Sequence, residues 1–122
     1  MPERYFIDTN IIIYSILNNI DKEKNSASRE FLSTQSSSCL ILNQVINESI
    51  NVLIRYKVNN SIISNIVKSM VNTFEVFTIS YSTSHLALEL RDELNYSFFD
   101  LMIIASAIQS EATVIITDDL HH

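Results

Sequence analysis

The chain contains no glycine among its 122 residues, so other residue types must form its turns and helix ends. Asparagine is abundant, and its short polar side chain caps helices and tolerates positive φ better than most side chains do. We therefore expect asparagine to take the turns and caps that need a positive φ or a side-chain hydrogen bond. This bias in composition indicates no particular function.

Cysteine occurs once, which excludes an internal disulfide and a metal site built from several thiolates. Because Cys39 lies in the apolar run Cys39–Leu42, we interpret it as a small buried hydrophobe. The chain also lacks the roughly 18 consecutive apolar residues that a membrane span needs. Its first four residues do not have the layout of a signal peptide, so we expect a cytoplasmic protein without membrane contact.

Basic residues are scarce, with eight lysines and arginines against 14 acidic residues and a formal net charge of −6. This balance argues against a broad basic surface for nucleic acid and fits either a cation-binding site or a basic protein partner. The length suffices for one continuous core, and hydrophobic residues make up 47% of the chain. We expect a single domain over residues 1–122.

Short apolar runs alternate with amphipathic stretches along the whole chain. The runs predict strands at Arg4–Asp8, Cys39–Leu42, Phe74–Ile79 and Ala112–Ile116. The stretches predict helices near residues 11–17, 21–33, 44–56, 62–71, 82–94 and 98–108, with Asn43 as an N-cap. Such alternation is typical of an α/β fold with a parallel sheet covered on both faces, whose ligands bind outside the carboxyl ends of the strands.

Two of the predicted strands end in acidic residues. Asp8 follows the first strand, and Asp118 and Asp119 follow the last. We expect all three at the carboxyl edge of the sheet, where sites form in α/β proteins. For Asp8 alone, a helix N-cap is an equally good explanation.

Two further acids lie on predicted helices. Asp100 stands at the mouth of an almost wholly apolar helix, where a buried acid needs a partner, although stabilisation by the helix dipole is the alternative. Glu48 lies at the edge of an apolar helix face, and a solvated surface glutamate is its alternative. Carboxylates that converge at one edge stay ionised only if cations offset their repulsion. Oxygen ligands without cysteine or a histidine cluster suit Mg²⁺ or Mn²⁺, which promote phosphodiester hydrolysis.

Four segments resemble, in their usual order, the acidic motifs of the PIN-domain family. They are Phe6–Asn10, Asn47-Glu48, Ser97–Asp100 followed by Ala105, and Ile116–Asp119. The resemblance covers nearly the whole chain and implies a three-layer α/β/α domain with a short central parallel sheet of about four strands. It also implies a nuclease that binds Mg²⁺ or Mn²⁺ and cuts RNA. The small members that this chain resembles are VapC-type toxins, which a cognate antitoxin restrains and which often form homodimers.

Carried over by position, the resemblance makes four acids the catalytic residues and metal ligands: Asp8, Glu48, Asp100 and Asp119. Asp119 fits the family's Thr-x-Asp spacing better than its neighbour does. Five polar residues beside the acids are candidates for hydrogen bonds to ligands or metal-bound water, with capping or turn roles as alternatives: Thr9, Asn10, Ser97, Thr117 and Asp118. PIN domains usually continue past the fourth acid into a last short strand, so we expect a domain that is naturally short, is truncated before that strand, or ends in remnants of a tag at His122.

Two other functions stay open on the sequence. A phosphotransferase with Asp8 as its nucleophile is one, although position 10 is asparagine where one such class needs a second acid. A PIN-like module that binds RNA or a partner without cutting is the other, and eight basic residues would then have to supply the affinity. The apolar residues of Ile11–Leu32 and Ile50–Val71 either form core or cover a partner face. His85 is expected at the surface.

Overall fold

A computed structural model describes residues 3–117, which form a parallel four-stranded sheet flanked by six α-helices. The strands are β1 (Tyr5–Ile7), β2 (Cys39–Leu42), β3 (Glu75–Phe77) and β4 (Val114–Ile116). The helices are α1 (Thr9–Ile16), α2 (Lys22–Gln35), α3 (Asn43–Arg55), α4 (Asn60–Thr73), α5 (Tyr81–Leu90) and α6 (Phe98–Gln109). The strand order is β3-β2-β1-β4, and the predicted α/β fold is therefore confirmed.

The two central strands carry the main core. Phe6 pairs with Leu40 and Ile7 with Ile41 in the β1–β2 register, and all four side chains are buried. No polar residue alternates with them, because helices leave neither face of a central parallel strand to water. The core continues into α1, α3 and α4 through residues at helical spacing. This arrangement holds the carboxyl ends of β1 and β2 side by side.

A second, smaller apolar cluster joins α5 to α6. Its buried members are Ala87, Leu101, Met102 and Ala105. Both alanines are fully buried, and their small side chains let the two helices approach closely. The cluster fixes the start of α6, which carries Asp100, against the rest of the protein.

Two helices end in a left-handed residue although no glycine is available. Lys57 after α3 has φ 62° and Glu111 after α6 has φ 60°. At the end of α3, the N–H of Lys57 donates to Ile54 O and that of Val58 to Leu53 O, which is the Schellman pattern. The expectation that asparagine takes the positive φ values is thus wrong for these two sites, whereas Asn59 does cap α4 by accepting from Ile62 N.

Several predicted boundaries differ from the structure, and three of the differences have an identifiable reason. Asn43 is the first residue of α3 instead of its N-cap, because its side-chain oxygen accepts a hydrogen bond from Ile79 N beyond β3. The first helix starts at Thr9, two residues earlier than the apolar run suggested, with Asp8 as N-cap. Helix α5 ends at Leu90, where the chain tightens into turns. Leu94 still packs against the second cluster, which explains its helical spacing in the sequence.

The remaining expectations concern single residues. Cys39 is buried, and burial raises the pKa of its thiol to about 11, so the thiol stays protonated near neutral pH. His85 is exposed and forms an ion pair with Glu89 when it is protonated.

Within residues 3–117, no helix is long and apolar enough to cross a lipid bilayer. The expectations on Asp118, Asp119 and a missing last strand lie outside the described residues.

Candidate active site

Asp8 stands where β1 gives way to α1. Its N–H donates to Ile116 O and so extends the pairing of β1 with β4 by one residue. One carboxylate oxygen accepts from Thr9 N at 2.7 Å, and the other accepts from the Thr117 hydroxyl at 2.9 Å. Asp8 is therefore both the N-cap of α1 and a member of the sheet edge, so the two explanations of this residue are compatible.

Glu48 reaches the same edge from α3. The buried Thr9 hydroxyl donates to Glu48 Oε2 at 3.0 Å, across 39 positions of sequence. Glu48 itself is exposed, as its alternative as a surface glutamate also requires, but the bond from Thr9 ties its carboxylate to the edge of the sheet. Since Thr9 also follows Asp8 directly, this one threonine connects two of the predicted acids.

Asp100 lies in the first turn of α6 and is only 7% exposed. Its N–H donates to the hydroxyl of Ser97 at 3.2 Å, which makes Ser97 the N-cap of the helix. The capping role considered for Ser97 is thus the one that the structure gives it. The cap starts α6 at Phe98 and places Asp100 on the inner side of the first turn.

The three acids line one open pocket of about 450 Å³ at the carboxyl edge of the sheet. Its described lining residues are Asp8, Thr9, Asn10, Leu42, Gln44, Val45, Glu48, Phe99, Asp100, Met102 and Ile103. Asn10 thus lines the same pocket as the three acids. Gln44 and Phe99 were not among the candidates. Gln44 could have been found from its position one helical turn before Glu48, and Phe99 from its place beside Asp100.

The side-chain atoms around this pocket that could coordinate a metal ion include oxygens from carboxylate, hydroxyl and amide groups. Such a set suits a hard divalent cation such as Mg²⁺ or Mn²⁺ and suits zinc poorly. Within residues 3–117, however, no three acidic, histidine or cysteine side chains are close enough together to form a ready-made metal cluster. The described acids share a pocket in an open arrangement, and Asp119 lies outside the described residues.

The sequence profile of the PIN domain matches residues 5–122. This chain belongs to the PIN domain family. The membership confirms the assignment that the four acidic motifs suggested, and the profile spans all four of them. No curated protein sequence matches the chain.

Solved structures share the fold of this PIN domain. VapC20 of Mycobacterium tuberculosis, described as a toxin that cleaves the sarcin–ricin loop, is 15% identical with a TM-score of 0.69, covering 94% of this chain and 89% of that chain. A toxin–antitoxin complex from Klebsiella pneumoniae is 20% identical with a TM-score of 0.68, over 92% and 84% of the two chains. VapBC2 of Rickettsia felis, bound to a DNA fragment of its promoter, is 20% identical with a TM-score of 0.66, over 93% and 87%. At these identities the likeness establishes the fold alone.

Proposed function

We propose that this PIN domain is a metal-dependent endoribonuclease and that it acts as the toxin of a toxin–antitoxin pair. The observation that carries the proposal is that Asp8, Glu48 and Asp100 line one pocket. They come from the end of a strand and from two helices far apart in sequence. Roles as helix caps or surface charges alone would not require these acids to line one pocket.

Asp8, Glu48 and Asp100, together with Asp119, would hold Mg²⁺ or Mn²⁺. When bound, the cation supplies Lewis-acid chemistry at a phosphodiester, by favouring deprotonation of a water molecule and by offsetting charge on the leaving oxygen. It also relieves the repulsion among the acids.

The polar neighbours of the acids orient them. The Thr117 hydroxyl fixes one oxygen of Asp8, and the Thr9 N–H fixes the other. The Thr9 hydroxyl turns Glu48 toward the same pocket. Loss of a group that holds a metal ligand in this way typically costs about 10- to 100-fold in metal affinity or activity. Asn10 lines the pocket and would contact metal-bound water or an RNA phosphate.

Solved structures that share this fold support the toxin role. Two of the solved structures with this fold are toxin–antitoxin assemblies, and the third is described as an RNA-loop-cleaving toxin. Large apolar side chains are also exposed on the α3–α4 pair: Ile54, Tyr56, Ile62 and Val71. A cognate antitoxin or a second copy of the chain would cover such residues. The protein would then act as a single domain in the cytoplasm, where its RNA substrate is.

The first experiment is cleavage of labelled structured and single-stranded RNAs by the purified protein in Mg²⁺ or Mn²⁺. We expect cleavage that chelation stops, and a loss of at least 100-fold in Asp8→Asn and in Asp100→Asn, since each removes a charged ligand. Asp92→Asn, which changes an exposed acid just after α5, is the matched control and should cut as the wild type does.

The outcomes separate the candidate functions. If folded wild-type protein cuts no RNA in a wide panel but binds RNA in chelator, the binding-module alternative is correct. If it releases phosphate from a small phosphomonoester and Asp8→Asn abolishes that release, the phosphotransferase alternative is correct. Growth arrest on expression, absent in Asp100→Asn, tests the toxin role separately.

A further inference from the structure

Phe99 is an exposed aromatic residue on the rim of the acidic pocket. Its side chain is 73% exposed, although it lines the same pocket as the acids. Successive helix residues are rotated by about 100°, so the inward side chain of Asp100 leaves its neighbour Phe99 at the pocket mouth. An aromatic face thus borders the site where the phosphodiester would bind.

Folding does not account for this position. Burying a phenylalanine stabilises a protein by about 1.5–3 kcal/mol, and most of that gain is forgone at Phe99. The second apolar cluster is formed by other residues of α6, such as Leu101 and Ala105, and does not include Phe99. The ring of Phe99 is therefore available to contact a ligand.

The charge of the pocket favours an uncharged contact of this kind for an RNA substrate. None of the described residues that line the pocket is basic, while Asp8, Glu48 and Asp100 are acidic. Bound cations can attract one phosphate, and within the pocket any further affinity for RNA would come from contacts that need no positive charge. Stacking of a base on an aromatic ring is such a contact, since every nucleobase has a π-face.

We propose that Phe99 is a stacking platform for one unpaired nucleobase of the RNA, next to the phosphodiester held at the acids. The proposal rests on the proposed ribonuclease function and names how the substrate is positioned. Base-paired RNA keeps its bases inside the helix, so the platform selects loops, bulges and single strands. Phe98 precedes Phe99 and is 43% exposed, but it is not among the described residues of the pocket.

The test measures affinity for fluorescein-labelled single-stranded RNA by anisotropy, in an Asp8→Asn background that prevents cutting. We expect Phe99→Leu, which keeps an apolar side chain but removes the ring, to raise Kd about 5- to 150-fold. Phe99→Tyr should bind as the parent does, and Phe98→Leu is the matched control that should also leave Kd unchanged. Melting temperatures confirm that the variants are folded.

A series of RNAs with one abasic site each identifies the contact. At one position, loss of the base and Phe99→Leu should not be additive, because both remove the same interaction. The proposal is overturned if Phe99→Leu binds as the parent does, if no abasic position is coupled to Phe99, or if the parent binds no single-stranded RNA.

The platform and the nuclease can fail independently. In the cleavage assay with Asp8 intact, Phe99→Leu should raise KM with little change in kcat. If Phe99→Leu cleaves RNA with an unchanged KM, the nuclease function is supported and the stacking platform is refuted. Base-dependent binding through Phe99 without any cleavage would support the platform and refute the nuclease.

Discussion

At the scale of single residues, two threonine hydroxyls orient two of the acids of the pocket, Asp8 and Glu48. Thr9 joins α1 to Glu48 on α3, and Thr117 joins the end of β4 to Asp8. Both hydroxyls donate to carboxylate oxygens, and such charge-assisted bonds are stronger than neutral ones. The site therefore depends on groups that would not themselves need to touch a metal ion.

Replacing Thr9 by valine tests this dependence. Valine has nearly the same shape, and the backbone N–H that Asp8 accepts from is retained, so only the hydroxyl bond to Glu48 is lost. We expect Mn²⁺ affinity, measured by titration calorimetry, to fall about 10- to 100-fold. Thr34→Val is the control, because that hydroxyl bonds only to carbonyls of its own helix. Equal affinity in both variants would show that Glu48 needs no orientation by Thr9.

At the scale of the helices, the absence of glycine leaves strain at two ends. Lys57 and Glu111 occupy the left-handed region in Schellman motifs that most proteins would fill with glycine. A side chain with a Cβ costs roughly 1–2 kcal/mol there. Asparagine, which tolerates this region better, is used elsewhere, as at the N-cap of α4.

Lys57→Gly should therefore stabilise the protein. We expect the free energy of unfolding in urea to rise by about 0.5–1 kcal/mol, because relief of strain exceeds the added entropy of the unfolded chain. Lys68→Gly is the matched control, since Lys68 is also exposed but lies inside α4, where glycine should cost about 1 kcal/mol. A loss of stability in both variants would mean that Lys57 is not strained in solution.

At the scale of the whole molecule, the site combines residues from elements that are far apart in sequence. Asp8 directly follows β1, Glu48 lies on α3, and Asp100 lies in the first turn of α6, whose next residues belong to the second apolar cluster. A cation shared by these acids would link both clusters of the core. Such binding stabilises the folded state only, because the unfolded chain does not hold the acids together.

Mn²⁺ should accordingly raise the melting temperature, and chelation should reverse the rise. At about 100 times the dissociation constant the gain is about 2.7 kcal/mol, which corresponds to several degrees for a domain of this size. Asp100→Asn should lose the metal-dependent increase, whereas Asp92→Asn should keep it. A melting temperature that is the same with Mn²⁺ and with chelator would contradict metal binding at the pocket.

Prediction from the sequence succeeded where a residue's own neighbours decide its structure. Apolar runs located all four strands to within two residues at each end, and the capping side chains of Asp8 and Ser97 mark the starts of α1 and α6. It failed where a distant group competes, as when Ile79 N takes the side-chain oxygen of Asn43. Such a bond spans 36 positions and leaves no local signal.

The sequence by itself determined the alternation of strands and helices, and with it the edge of the sheet at which acids gather, because hydrophobic periodicity and capping are local properties. Only the tertiary structure decided that Thr9 bonds to Glu48, that Asp100 turns inward while Phe99 turns outward, and that Gln44 joins the pocket. Those facts depend on how α3 and α6 are placed against β1. That placement follows from the packing of the whole core, which no single segment contains.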